Sequence, residues 1–149
     1  MFARALIAFL LLPGMVAFAL PAAWILGHDN VRFVQPFGLV PLATGAVALL
    51  WCVRDFHIVG RGTLAPWSPP ERLVRVGLYR YSRNPMYVAV GLVLLGWAVS
   101  FHSSGLLAYA VVVVLAFHFR IVLGEEPWMA RTFASEWRQY AETVPRWLW

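Results

Sequence analysis

The sequence predicts an all-α integral membrane protein: a bundle of about four transmembrane helices with a C-terminal amphipathic interfacial helix. Hydrophobic residues make up 61% of the 149 residues, and they fall in long apolar runs. All 12 basic residues are arginines, and they cluster beside those runs. We expect one membrane domain that covers residues 1–149.

Four apolar runs are predicted to cross the membrane. They cover residues 5–26, 37–53, 85–101 and 105–123. Pro13 and Pro21 should bend the first run, which a membrane helix tolerates better than a soluble one. Ala17-Phe18-Ala19 has the small-residue pattern of a secretory signal, but the run is long enough to span, so we expect a membrane helix.

Two polar segments follow the second and fourth runs. The loop 54–84 carries six arginines against Asp55 and Glu71. The segment 124–149 contains apolar residues at helical spacing on one face, namely Met129, Phe133, Trp137 and Tyr140. This pattern predicts a helix that lies at the membrane interface or folds back on the bundle.

The arginines also predict the orientation. The loop 54–84 and the tail carry most of them, and four spans place both segments on the same side. The positive-inside rule makes that side the cytoplasm, with both termini there. The charge therefore favours lipid head groups as the partner and not nucleic acid. Cys52 is alone and the four histidines are scattered, so we expect no disulfide and no metal.

The stretch Gly77–Tyr87 is polar, rich in arginine, and leads directly into the third run. Asn84 can cap a helix that Pro85 begins, which places Arg83 at the helix mouth. The exposed N–H groups of that helix end suit an anion. The tyrosines of the stretch offer aromatic faces for a cation; they are Tyr79, Tyr81 and Tyr87. A capped membrane helix with flanking arginines explains the same residues.

A second polar cluster follows the fourth run. Arg120 lies in the last turn of that run, where an ionisable group needs a protein, water or ligand partner. Because the third and fourth runs form an antiparallel hairpin, both clusters should meet at the membrane surface. The pocket that results could be lined by Arg83, Asn84, Tyr87, Arg120, Glu125 and Glu126. Glu125 and Glu126 also suit the first turn of a helix begun by Pro127.

Over about residues 54–146, these features resemble the superfamily of isoprenylcysteine carboxyl methyltransferases and phospholipid methyltransferases. The resemblance is carried by the stretch Gly77–Tyr87, the hairpin, Glu125-Glu126 and the later Phe133, Tyr140 and Pro145. It implies that S-adenosylmethionine is held beneath the membrane surface by an Arg-His-Pro-x-Tyr region and a Glu-Glu region. Asn84 stands where the prenylcysteine enzymes usually have histidine, and the Asn-Pro-Met-Tyr form resembles the phospholipid branch.

Carried over to this chain, the resemblance implies that the cofactor is bound by Arg83, Pro85, Tyr87, Glu125 and Glu126. A Gly-x-Gly element of the phospholipid branch further implies a cofactor-binding role for Gly60 and Gly62. Tyr79 and Asn84 join them as cofactor-binding candidates. The catalytic candidates are Arg83, Arg120 and Glu125.

The chemistry of these residues suits S-adenosylmethionine. A glutamate can pair with its ammonium, an arginine or a helix N-terminus with its carboxylate, and an aromatic ring with its sulfonium. A carboxylate acceptor needs no general base and could be oriented by Arg83 or Arg120. An amine or thiol acceptor needs a base, for which Glu125 and His118 are the candidates.

We therefore predict a membrane-embedded methyltransferase that acts on a lipophilic acceptor and resembles isoprenylcysteine carboxyl O-methyltransferase. A phospholipid amine N-methyltransferase and a non-catalytic membrane scaffold are the alternatives. A sterol-type reductase is disfavoured, because Tyr87 is followed by Val88-Ala89-Val90 and not by the glycine and glutamate of that signature. A cation exporter is also disfavoured, because it would be expected to carry an acidic residue within a span. The four predicted spans contain none, and Asp55 lies just outside the second.

Overall fold

A computed structural model describes residues 10–29, 31–60 and 70–148, and these residues form an all-α structure. Its helices are α1 (Leu10–Ala19, π-helical), α2 (Leu20–Leu26), α3 (Leu39–Ile58), α4 (Pro85–Ser100), α5 (Ser104–Arg120) and α6 (Glu126–Thr143). Short 3₁₀ turns cover Pro36–Gly38 and Gly77–Arg80, and a π-helical turn covers Ile121–Glu125. Residues 5–9, which open the first predicted span, lie outside this description.

Among the described residues, two helical segments are long and apolar enough to cross a membrane. They are Pro36–Ile58 and Ser104–Thr143, in which an 18-residue stretch has a mean hydropathy of 1.8 and 2.4, respectively. Pro13–Leu26 and Pro85–Ser100 are shorter apolar helices. Large hydrophobic side chains remain exposed along these helices, for example Val40 (67%) and Val112 (64%). Such a surface is unusual in a soluble monomer and suits contact with lipid.

The predicted hairpin of the third and fourth runs is present as α4 and α5; three of its four bounds agree within one residue, and α5 ends at Arg120, three residues before the predicted end. The turn between α4 and α5 places His102 at a φ of 45°. Ser103 then caps α5, because its hydroxyl accepts the N–H of Leu106 at 3.3 Å. The hairpin therefore returns the chain to the end of α4 from which the polar stretch Gly77–Tyr87 approaches.

Close helix packing forms the centre of the bundle. A Cβ atom at Gly45 of α3 would lie 2.6 Å from the carbonyl oxygen of Ala89 in α4, and one at Gly96 of α4 would lie 2.6 Å from the nitrogen of Leu42 in α3. Small residues at these two crossings let the backbones approach each other. The first helix joins the same core, since Trp97 Nε1 donates to the Ala17 carbonyl at 3.0 Å.

The helix that contains the second predicted span continues beyond Val53 to Ile58. Asp55 therefore lies within α3, where it is buried, and not in the loop. Its neighbour Arg54 donates to Asp55 Oδ1 at 3.2 Å. This extra length carries α3 to the level of the turn at Gly77–Arg80.

As expected, a helix (α6) starts beside Pro127, at Glu126, but α5 runs into it without a break. The two helices and the π-helical turn form one segment, Ser104–Thr143. In this turn the N–H of Glu126 donates to the carbonyl of Ile121, five residues back. Pro127 has no N–H to give, and the shifted hydrogen-bond register of the π turn accommodates it.

The segment changes direction again at Ala134, whose φ is 41° and ψ is −107°. Beyond this kink Trp137 and Tyr140 are buried, whereas Met129 and Phe133 before it are half-buried. The predicted apolar face of the tail helix is therefore confirmed. The tail folds back on the turn at Gly77–Arg80, where Tyr140 Oη donates to the Tyr79 carbonyl at 2.7 Å.

Candidate active site

The hairpin brings the two polar clusters together at one end of the bundle. Asn84 is the N-cap residue of α4 and Pro85 opens the helix, as predicted. The end of α5 and the π-helical turn lie beside this helix start. The six residues expected to share one pocket lie at this end of the bundle, but they divide between two separate carboxylate centres and do not line a single described cavity.

Glu125 forms the first centre. Its Oε1 atom accepts a hydrogen bond from the Tyr87 hydroxyl and another from Arg120 Nε, the second at 2.8 Å. The side chain of Glu125 is 28% exposed and that of Arg120 is 54% exposed. The Tyr87 ring also packs against Phe117, with ring centroids 4.5 Å apart. Glu125 therefore joins the start of α4 to the end of α5.

Glu126 forms the second centre and is held by two guanidinium groups. Arg83 Nη1 lies 2.9 Å from Glu126 Oε1, and Arg146 binds the carboxylate through Nε at 2.9 Å and Nη2 at 2.7 Å. The hydrogen bonds to Glu126 raise the pKa of Arg146. The sequence analysis did not single out Arg146, which resembles any other tail arginine until the fold places it.

Arg83 occupies the most enclosed position among these charged groups. Its side chain is 13% exposed, and its guanidinium lies 5.5 Å from the centroid of the Trp137 ring. Arg83 Nε is buried and has no hydrogen-bond partner among the residues that the structure describes. A buried donor without a partner is unusual, and a bound anion would satisfy it.

The side chain of Asn84 does not cap α4, in contrast to the prediction. Its Nδ2 atom donates to the Arg146 carbonyl at 3.1 Å. The N–H groups expected to be free for an anion are partly used: Arg83 N donates to the Pro145 carbonyl, Asn84 N to Ser82 Oγ, and Tyr87 N to the Asn84 carbonyl. The physical reason is that the chain end crosses this helix start and takes up its polar groups.

Tyr79 lies beneath the charged groups and is 5% exposed. Burial raises the pKa of Tyr79 well above its usual range. The preceding Gly77 has a φ of +57°, and a Cβ atom there would collide with the Asp55 carboxylate. Only glycine suits both this conformation and this contact. Tyr81, by contrast, is 70% exposed and points away from the buried part of the turn.

Two cavities flank the two carboxylate centres. The first, here called the arginine cavity, has a volume of about 20 Å³ and includes Arg83, Tyr79, Phe133 and Tyr140 in its lining. The second, here called the α4–α5 groove, has a volume of about 130 Å³. It is lined by Tyr87, Val88, Gly91, Val114, Phe117 and Trp147. The groove is apolar except at Tyr87, whose hydroxyl binds Glu125.

The structure describes only Gly60 of the two glycines in the Gly-x-Gly element. A Cβ atom at Gly60 would lie 2.6 Å from the Phe56 carbonyl and 3.0 Å from Val74 Cγ2, so close packing accounts for this glycine. Gly62 lies outside the described residues. A cofactor role for either glycine stays a prediction.

The sequence model of the phospholipid methyltransferase family matches residues 33–136. The chain belongs to this family. It is therefore an integral membrane methyltransferase that depends on S-adenosylmethionine and acts on lipid. No curated protein and no solved structure matches the chain. The match contains Arg83, Glu125 and Glu126 but ends before Arg146 and Trp147.

The residues around the arginine cavity fit the cofactor of this family. Arg83 offers a buried donor without a partner to a carboxylate. Glu126 offers a carboxylate to an ammonium group, and the Trp137 ring already lies against one cation. These complementary groups stand within one small region of the fold.

Proposed function

We propose that this protein transfers a methyl group from S-adenosylmethionine to the head-group amine of a membrane phospholipid. The observation that carries the proposal is the hydrogen bond from Tyr87 to Glu125 at the one polar point of the α4–α5 groove. An apolar groove with a carboxylate at its end suits a lipid whose head group must lose a proton. The family match and the Asn-Pro-Met-Tyr sequence support the same acceptor class.

On the acceptor side, Glu125 acts as the general base. An ammonium head group cannot attack a methyl group until it has lost a proton, and a carboxylate within reach can take that proton. Arg120 Nε holds the Glu125 carboxylate in place at 2.8 Å. The apolar wall of the groove, which includes Val88 and Val114, takes the part of the lipid next to the head group.

On the cofactor side, Arg83 binds the carboxylate of S-adenosylmethionine and Glu126 binds its ammonium. When bound, the cofactor supplies an electrophilic methyl group on a sulfonium. Glu125 would take the proton that the lipid nitrogen must lose in order to accept this methyl. Because an in-line displacement depends on alignment, positioning can account for roughly 7–11 kcal/mol of the barrier in favourable cases.

Methylation of a lipophilic carboxylate, as in the isoprenylcysteine enzymes, is the second candidate. Arg120 favours it, because this half-exposed guanidinium borders the same centre and could orient a carboxylate. That acceptor needs no base, so Glu125 would then serve only to hold Arg120 and Tyr87.

One experiment separates the two acceptors. The purified protein in lipid micelles receives S-adenosylmethionine with a labelled methyl group, and either phosphatidylethanolamine or a prenylated cysteine as acceptor. We expect label in the phospholipid, a mass increase of one methyl group, and label that alkali does not release as methanol. A methyl ester releases its label as methanol in base, so an alkali-labile product would reverse the assignment. Absence of label from both acceptors would refute both.

We also propose the full arrangement in the membrane. All four predicted spans cross the membrane. The loop 54–84 and both termini lie in the cytoplasm, because the arginines concentrate in that loop and in the C-terminal tail. Reporter enzymes fused after Trp149 test this orientation. A reporter active only in the cytoplasm agrees with it, and one active only outside contradicts it.

A further inference from the structure

The last residues of the chain form a strap across the start of α4. The strap, residues 144–147, leaves α6 at Thr143 and meets the polar stretch that precedes α4. Arg83 N donates to the Pro145 carbonyl at 2.9 Å, and the Arg146 carbonyl accepts from Asn84 Nδ2 at 3.1 Å and Ser82 Oγ at 3.3 Å. These bonds hold the strap at the backbone, whatever side chains it carries.

The side chain of Arg146 fixes the strap a second time. Its two bonds to Glu126 tie the strap to the first residue of α6, directly after the π-helical turn and 20 residues earlier in the chain. The strap is therefore attached both to the start of α4 and to the carboxylate centre at the end of α5. These are the two elements that bound the α4–α5 groove.

These attachments fix the position of the next residue, Trp147. Its side chain lines the groove opposite Tyr87 and Phe117. Its ring also stacks near His118 of α5, with centroids 6.1 Å apart and an interplanar angle of 21°. One wall of an otherwise two-helix groove thus comes from the chain end, which lies beyond residue 136, where the family match stops.

We propose that Trp147 is a specificity-determining residue, which limits the size of the lipid head group that reaches Tyr87 and Glu125. This inference rests on the proposed function. Tryptophan is the largest side chain available for such a wall, and it buries a large area at a low cost in side-chain entropy. Successive methylation of an amine enlarges the head group by one methyl at a time. The fixed ring should therefore favour the smaller acceptor.

The first measurement compares three acceptors: phosphatidylethanolamine and its N-monomethyl and N,N-dimethyl derivatives. In Trp147→Ala we expect the ratio of kcat/KM between the smallest and the largest acceptor, which differ by two methyl groups, to fall at least about tenfold, the lower end of the effect of one methyl-sized difference in a pocket. Trp147→Phe should give an intermediate ratio. Leu148→Ala, at a neighbouring side chain that is 58% exposed, should leave the ratio unchanged. A ratio within twofold of the parent in Trp147→Ala would overturn the inference.

The second measurement reports groove occupancy without catalysis. A Cβ atom at Gly91 would lie 3.6 Å from Val114 Cγ2, an ordinary contact, so Gly91→Cys should fold with a thiol in the groove. Cys52 is fully buried and should give little background with N-ethylmaleimide. Phosphatidylethanolamine should slow the alkylation of Gly91→Cys several-fold, but not that of Val112→Cys on the exposed face of α5. The additional change Trp147→Ala should remove this protection.

The two measurements keep the two proposals apart. If the parent methylates none of the three lipids, the proposed function fails, and the alkylation result alone decides whether Trp147 controls access to the groove. If the parent methylates lipid but Trp147→Ala changes neither the acceptor ratio nor the protection, only the inference about Trp147 fails.

Discussion

The two neighbouring carboxylates differ in almost every respect except their place in the sequence. Glu125 binds a phenol and a half-exposed guanidinium, and it borders the apolar groove. Glu126 binds two guanidiniums, is 16% exposed, and lies next to the arginine cavity. Because successive helical residues point about 100° apart, one Glu-Glu pair can serve two different cavities. The adjacent carboxylates of Glu125 and Glu126 thus form two separate sets of contacts and do not act together as one stronger negative charge.

The comparison predicts that removing the charge of Glu125 and removing the charge of Glu126 affect different measured quantities. Glu125→Gln removes the proposed general base and keeps the size of the side chain. We expect kcat for phosphatidylethanolamine to fall by roughly 10²–10⁴-fold, the range for loss of general base catalysis. The affinity for S-adenosylmethionine should change much less. Steady-state kinetics and calorimetry on detergent-purified protein measure the two effects.

A loss of cofactor affinity with unchanged kcat in Glu125→Gln would reverse the assignment of the two carboxylates. Unchanged kcat and unchanged affinity would exclude Glu125 from the reaction altogether. Either His118 would then be the base, or the acceptor would need none, as in methylation of a carboxylate.

The second prediction concerns the other side of the comparison. Glu126→Gln and Arg83→Ala should each weaken the binding of S-adenosylmethionine by roughly 2–5 kcal/mol, as expected for removal of one partner of a dehydrated charge pair. Part of that loss reflects the other charge, which remains without its partner. If Glu126 and Arg83 merely supported the fold, the affinity of the folded variants would match that of the parent.

Arg138→Ala is the matched control, because Arg138 lies on the exposed face of α6. It should bind the cofactor like the parent and melt at the same temperature. If Glu126→Gln, Arg83→Ala and the control all bind equally well, the cofactor site lies elsewhere.

Much of this arrangement follows from the order of residues. The apolar runs predict the hairpin, and the hairpin alone requires that Arg83 and Glu125 meet at one end. The spacing of Met129, Phe133, Trp137 and Tyr140 predicts the buried face of α6. In each case the period of the pattern matches the geometry of the helix, so local sequence is enough.

The contacts of Arg146 could not be predicted in this way. They depend on the kink at Ala134, a positive φ in a residue that rarely adopts one, and on the π-helical turn that lets the helix pass Pro127. The same fold-back explains why Asn84 binds the Arg146 carbonyl and leaves its capping role. Long-range packing decides these contacts, and no short motif encodes it.

The smallest predicted effect concerns Tyr79, the buried floor beneath Arg83 and Glu126. Burial raises the pKa of Tyr79, whereas an unfolded tyrosine ionises near pH 10. The neutral phenol therefore stabilises the fold fully below about pH 10, and this stability is lost as the pH rises towards the folded pKa. The contribution approaches about 1.4 kcal/mol per pH unit in that window.

Tyr79→Phe removes the ionisable group and keeps the ring, so its unfolding free energy should fall less steeply than that of the parent above pH 10. Chemical denaturation in detergent at pH 8 and at several values above pH 10 measures the difference between the two slopes. Tyr81→Phe is the control, because Tyr81 is 70% exposed and should leave the slope unchanged. Equal slopes for the parent and Tyr79→Phe would mean that water reaches Tyr79. Tyr79 would then not shield Glu126 from water, and this difference between the surroundings of Glu126 and those of Glu125 would be lost.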